Sequence, residues 1–299
     1  MYFDKPIIGN ITFENPIMNA SGCWSTTENE LNELVSSKCS GIVTRSCTYD
    51  CLFGKCSPNY YKNDNLSLCE DGTKNEGYQY YNKLGKSIMN KKPYIISITE
   101  KKKGEMLHIA HNLLNSNSWE SKCNANLIEL NLSNEDENNK IIGYDWKETN
   151  KYLRYIFQLK DCKNKIGIKL PPYTDFHKLG EFIDVVKEYP ISFITSTGSL
   201  RNGIVLDEKY NSVILPNSGY SGIGGPLLKP IGLGNVKKLK ELTYSIPIIG
   251  CGGIETGKDI CDYLYCGASM VQVGTKLVDE GPKVFDRLLK EYNEEKHNI

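Results

Sequence analysis

The chain has 299 residues, enough for a complete β/α barrel, which commonly needs about 250 residues in one domain. Its 36 Lys plus Arg cancel 36 Asp plus Glu, and the densest positive run is Lys101 to Lys103, so no basic field is present to attract nucleic acid. No stretch reaches the roughly 20 apolar residues of a membrane span, and Met1-Tyr2-Phe3-Asp4-Lys5-Pro6 lacks the apolar run of a signal peptide, so a soluble, cytoplasmic protein without membrane partners is expected.

In chain order, short Ile/Val-rich runs recur between longer amphipathic stretches, the alternation of parallel strands with crossover helices. The runs are 16–20, 41–44, 94–98, 127–132, 166–170, 192–195, 246–250 and 270–273. Helix-like sequence follows each, as at 27–37, 176–187 and 258–265. Eight such units predict a single α/β domain over 1–299, a (β/α)8 TIM barrel, with a doubly wound open sheet as the alternative. What favours the barrel is the chemistry at the strand ends. Asn19-Ala20-Ser21-Gly22, Thr44-Arg45-Ser46, Asn131-Leu132-Ser133, Lys169, Thr195-Ser196, Cys251-Gly252-Gly253 and Gly274-Thr275 put polar residues and glycine at nearly every one. A site at the C-terminal mouth of a barrel needs that distribution, whereas an open sheet concentrates its ligand at one switch point. Two insertions, 48–77 and 200–229, are rich in Asn, Gly, Tyr and Ser and are expected to hang over the mouth as covering loops.

Of the eleven cysteines, Cys47, Cys51, Cys56 and Cys69 crowd one loop region. Their C-x3-C-x4-C-x12-C spacing lacks the C-x2-C knuckles of structural zinc sites, so reduced thiols and no metal are expected.

Gly250-Cys251-Gly252-Gly253-Ile254-Glu255-Thr256-Gly257 follows a strand and opens a helix, which suits an anion facing backbone N–H groups. Gln272-Val273-Gly274-Thr275 supplies a second bare backbone and a hydroxyl beside it. Together they read as the phosphate corner that barrels build after strands seven and eight, with Ser221-Gly222-Ile223-Gly224-Gly225 placed to close over it. The bland reading, tight turns only, competes at each motif singly. Lys169, in Gly167-Ile168-Lys169-Leu170-Pro171-Pro172, points into the mouth and requires an electron-rich partner there, unless it snorkels to solvent. Small residues at Asn19-Ala20-Ser21-Gly22 let a planar ring lie against backbone, and Asn131 offers an amide to ring carbonyl and nitrogen atoms. The ensemble describes a pocket for flavin mononucleotide (FMN).

Asn15-Pro16-Ile17-Met18-Asn19-Ala20-Ser21-Gly22, the Lys169 motif, Ser221 to Gly225, Gly250 to Gly257 and Gly281-Pro282-Lys283-Val284-Phe285-Asp286-Arg287 resemble, in order and spacing over nearly the whole chain, the soluble class 1A dihydroorotate dehydrogenases. The resemblance implies a homodimeric FMN enzyme that oxidises its small-molecule substrate dihydroorotate to orotate in pyrimidine synthesis, commonly with fumarate as acceptor. It places FMN among Ala20, Ser21, Arg45, Ser46, Asn131, Lys169, Gly225, Gly252, Gly253, Gly274 and Thr275, with Arg45 where the family usually has lysine. Cys69, Asp71, Gly72, Asp136 and Ser199 fall on the substrate side.

That side departs from the family. Its Asn-Leu-Ser-Cys-Pro-Asn segment, whose cysteine is the catalytic base, reads Asn131-Leu132-Ser133-Asn134-Glu135-Asp136 here, and an amide at Asn134 cannot accept a proton at neutral pH. The family's Asn-Ser-Met-Gly-Leu loop aligns with Cys69-Glu70-Asp71-Gly72-Thr73, and an Asn of a second Asn-Ser pair with Gly198. Glu70, Asp71 and Asp136 are expected to repel an anionic substrate. Cys69, Asp71 and Asp136 are the candidates to replace the base, and a flavin-binding relative with another substrate, or none, is the alternative reading.

Overall fold

Eight of the apolar runs become parallel strands because their β-branched residues are buried on both faces, one against the barrel interior and one against helices. The computed structural model describes residues 5–115 and 122–296; residues 1–4, part of the segment read above for a signal peptide, lie outside them. Around the sheet the order is Ile17–Asn19, Met270–Val273, Ile248–Cys251, Phe193–Ser196, Ile166–Leu170, Leu127–Asn131, Tyr94–Ile98 and Ile42–Val43. Every strand neighbours its successor in sequence except where the chain passes from the first to the second. There Ser40 N–H donates to Ile17 O at 2.9 Å, and the Asn19 side chain takes the place of a backbone ladder. Its Nδ2 donates to Val43 O at 2.6 Å and its Oδ1 accepts from Val43 N–H at 2.9 Å. The sheet thus closes on itself, and the open-sheet alternative is set aside.

The crossover helices start where the sequence offers caps. Thr27 accepts from Glu30 N–H and Thr256 from Asp259 N–H, each with the reciprocal bond of a capping box, ahead of Glu28–Ser36 and Gly257–Tyr265. Asp175 caps Phe176–Val186. Expected ends at 27, 37 and 187 are therefore cap residues rather than helix. Beneath the barrel, an unforeseen hairpin of Ile7–Ile8 and Ile11–Thr12 leads into Phe13, whose ring is fully buried against Gly41 at the start of the second strand.

Above the mouth, the two insertions are not independent loops. Tyr60–Lys62 and Ser67–Cys69 from the first pair with Ser221–Gly224 and Leu200–Gly203 from the second in one antiparallel sheet. The register puts Gly222 opposite Cys69 and Gly224 opposite Ser67, so the Ser221 to Gly225 motif reaches the mouth as a strand.

Candidate active site

The strand ends enclose a cavity roofed by the covering sheet, and its floor is a continuous polar chain. Ser21 Oγ lies 2.8 Å from Ser46 Oγ, which accepts from Asn131 Nδ2 at 2.7 Å and lies 2.9 Å from Ser97 Oγ. Ser97 donates to Glu129 Oε1 at 3.1 Å, while Thr195 Oγ1 and Gln272 Nε2 donate to Oε2 at 2.8 and 3.1 Å. Gln272 Oε1 in turn accepts from Lys169 Nζ at 3.3 Å. Glu129 is fully buried, so its three donors offset the cost of taking a carboxylate out of water. Lys169 is 4% exposed with that one partner among the described residues, and it keeps two N–H donors for whatever enters the cavity. The Asn131 amide is fixed from the other side, its Oδ1 accepting from Ser133 N–H and Oγ.

The glycine motifs abut at one corner. Gly253 has φ 64°, and a Cβ there would lie 2.8 Å from both Gly225 O and Lys229 N, so only glycine lets the two segments meet. Thr275 Oγ1, on the other wall, lies 3.1 Å from Ser67 Oγ of the covering sheet. Gly252, Gly274 and Ala20 complete this end. Gly250 and Gly257 do not take part: the first makes room for the Tyr263 ring and the second for the Glu291–Tyr292 backbone, so the bland reading holds for those two.

At the mouth the acids are matched by cations. Arg45 Nη2 donates to both Asp71 oxygens at 2.6 and 2.7 Å, and Arg201 donates to Glu70 at 2.8 Å and Glu135 at 2.6 Å, with Lys55 also on Glu70 at 2.6 Å. The expected repulsion by Glu70 and Asp71 is thereby corrected, since neither presents a free charge. Asp136 lines an adjoining cavity that shares Asn131 and Asn134, and Asn138 N–H and Lys140 N–H hold its carboxylate in its own turn at 2.8 and 2.9 Å. Cys69, Asp71, Gly72, Ser199 and Asn134 all face the cavity with the expected cofactor residues.

Residues 5–295 match the dihydroorotate dehydrogenase family model. The chain is 35% identical over 299 residues to dihydroorotate dehydrogenase A (fumarate) of Lactococcus lactis subsp. lactis, covering 97% of this chain and 93% of that one. It is 38% identical over 285 residues to the dihydroorotate dehydrogenase (fumarate) of Saccharomyces mikatae, covering 94% and 90%. The chain belongs to the dihydroorotate dehydrogenase family.

As a member of the dihydroorotate dehydrogenase family it is an oxidoreductase acting on CH–CH groups. Several of its cavity residues were not foreseen. Arg201 had no visible partner in sequence, because Glu70 and Glu135 are distant along the chain. Glu129, buried beneath the lining, left one signal, a charge inside the apolar run Leu127 to Leu130. Cys23 was missed as well: its Sγ lies 3.2 Å from Cys69 Sγ and accepts from Arg45 Nη1 at 3.7 Å. The hydrogen bond from Cys69, with the Arg45 charge, holds the Cys23 thiol below its ordinary value, and the same bond together with burial pushes Cys69 up. The other three cysteines of that group are dispersed, Cys47 buried with its Sγ on Ser97 O and Cys51 and Cys56 exposed.

Proposed function

We propose that this cavity binds FMN and that the protein oxidises dihydroorotate to orotate, with a fumarate-type acceptor, in pyrimidine synthesis. The observation that carries the reading is the convergence, in one cavity, of the Lys169 cation, the Asn131 amide and the abutting Gly225, Gly253 and Gly274–Thr275 corner. Buried polar atoms without a partner among the described residues, Thr197 Oγ1 and Arg45 Nε, support a polar guest here. When bound, FMN supplies a two-electron hydride acceptor.

The chain's own groups then have distinct work. Gly225, Gly252, Gly253, Gly274 and Thr275 would hold the phosphate with backbone N–H groups and a hydroxyl. Ala20, Ser21, Ser46 and Asn131 would seat the ring, Asn131 locked by Ser133 so that its amide cannot turn away. Lys169, carried on a strand rather than a loop, would stabilise negative charge on the reduced ring at no cost of reorganisation. Cys69, Asp71, Gly72, Ser199 and Asn134 would border the substrate, Asn134 standing at the base position as an amide.

Domain, assembly and location follow the same reading: one FMN-binding domain over 1–299, a homodimer, in the cytoplasm. Exposed apolar side chains on the second insertion, Ile204, Leu206, Leu215 and Leu227, support a partner surface there. No helix among the described residues is long and apolar enough to cross a membrane. The test is titration with FMN followed by anaerobic mixing with dihydroorotate. Tight uptake of one FMN and bleaching of its absorbance are expected, and failure to take up FMN would defeat the reading.

A further inference from the structure

Cys23 and Cys69 come from different parts of the fold. Cys23 follows the first barrel strand, and Cys69 ends a strand of the covering sheet, opposite Gly222. Their sulfurs are 3.2 Å apart, the one pair of sulfurs in contact among the described residues. Both are free, both line the cavity, and neither is sealed in the core as Cys39 and Cys47 are. Forming a disulfide requires the sulfurs to close to about 2.05 Å, a movement of roughly 1 Å that side-chain rotation can supply. Arg45 stands beside Cys23, its Nη1 3.7 Å from Sγ and able to donate to a thiolate there, while its Nη2 holds Asp71, whose Oδ2 lies 3.9 Å from the same sulfur.

A metal ion is the competing occupant. One ligand atom from each of Cys23, Cys69 and Asp71 lies within 4.8 Å of the others. The Arg45 guanidinium, however, already takes both Asp71 oxygens, at 2.6 and 2.7 Å, and would have to be expelled by an incoming cation. The arrangement of a thiol stabilised by a cation, with a second thiol in contact to resolve it, fits exchange chemistry instead.

We propose that Cys23 and Cys69 form a redox-active dithiol in the cavity wall, whose substrate class is low-molecular-weight disulfides. The Cys23 thiolate attacks one sulfur of the disulfide RSSR. The S–S bond breaks, one RS⁻ leaves and takes up a proton, and Cys23 is left in a mixed disulfide. Cys69 then loses its proton and attacks Cys23 Sγ, releasing the second thiol as RSH. Two protein thiols are oxidised and one RSSR is reduced to two RSH. The product covalently staples the covering sheet to the barrel mouth. Nothing in this step depends on the cavity's cofactor or on the dihydroorotate reading.

The test uses the purified full-length protein with whatever cofactor it carries, exposed to oxidised glutathione, then alkylated and mapped by peptide mass spectrometry without reduction. A Cys23–Cys69 cross-link, reversed by dithiothreitol, is expected in wild type. Cys69→Ala is expected to accumulate a glutathione mixed disulfide on Cys23, while Cys23→Ala should slow reaction at Cys69 by about tenfold or more. Phenylarsine oxide, which bridges paired thiols, should protect both residues from alkylation in wild type, a measurement that needs no variant. The proposal is overturned if Cys23 and Cys69 remain separately alkylatable once the exposed Cys51 and Cys56 have been modified, or if phenylarsine oxide protects neither.

Discussion

Arg45 holds Asp71 through a single guanidinium nitrogen that reaches both carboxylate oxygens, at 2.6 and 2.7 Å. That nitrogen of the cation at the end of the second strand is therefore taken by an acid of the first insertion. Replacing Asp71 by Asn frees the Arg45 charge for an anionic pyrimidine. Orotate should then bind more tightly by about 1 kcal/mol, or roughly fivefold, measured from the perturbation of flavin absorbance. Equal affinities would show that Asp71 does not face the ligand.

Among the described residues Lys169 donates only to Gln272, and it is almost fully buried. Lys169→Ala is expected to weaken FMN retention or to slow flavin reduction by about a hundredfold, the scale for losing one electrostatic donor in a closed site. Lys102→Ala, at an exposed position, is the matched control. Equal behaviour of the two variants in FMN titration and stopped-flow reduction would remove Lys169 from the mechanism.

Glu129 organises the floor, and its removal leaves Ser97, Thr195 and Gln272 donors without an acceptor. Glu129→Ala should cost about 3–5 kcal/mol in urea unfolding, as breaking a buried charged network does. Glu129→Gln should cost less, because the Ser97 and Thr195 hydroxyls can reverse and accept. Lys169 loses its orientation in both, so the flavin spectrum is expected to shift even where stability is retained.

The barrel was legible because strands buried on both faces read as unbroken Ile and Val runs, and the strand-end residues followed from their position. The covering sheet was not, since Tyr60–Lys62 and Leu200–Gly203 are only partly buried and carry no two-residue alternation. The turn in which the Asn138 and Lys140 N–H groups hold the Asp136 carboxylate was not legible either, because its bonds run from backbone donors. Arg201 with Glu70 and Cys23 with Cys69 are pairs 131 and 46 residues apart, joined only when the two insertions share a sheet and meet the first strand end. No local pattern announces such pairs.

Cys23 is held below an ordinary thiol by Cys69 and Arg45. Since the thiolate is the reactive form, alkylation of Cys23 should rise with pH and level off below the roughly 8.5 of a free cysteine. Arg45→Met should move that midpoint upward, because a cation that favours the thiolate has been removed. Peptide-resolved iodoacetamide rates across pH 5 to 10 measure it, and a midpoint unchanged by Arg45→Met would show that Arg45 does not stabilise the charge.

Asn134 borders the cavity where the family's base is expected, and its amide cannot take a proton. General-base catalysis contributes about a hundredfold to ten-thousandfold, so dihydroorotate should reduce the bound flavin by that factor more slowly than in a relative carrying cysteine there. Asn134→Cys alone is expected to recover little, because Cys69 no longer offers an amide to the pyrimidine. Adding Cys69→Asn should recover more. Adding Gly198→Asn as well should not, since a Cβ at Gly198 would lie 2.5 Å from Ser133 Cβ. Displacing Ser133 breaks the two bonds that fix the Asn131 amide, so the triple variant should fall behind the double. Single-turnover flavin reduction for wild type and the three variants decides the matter. Fast reduction of the wild type would mean that another cavity group accepts the proton, and a triple variant ahead of the double would mean that Ser133 yields without cost to Asn131.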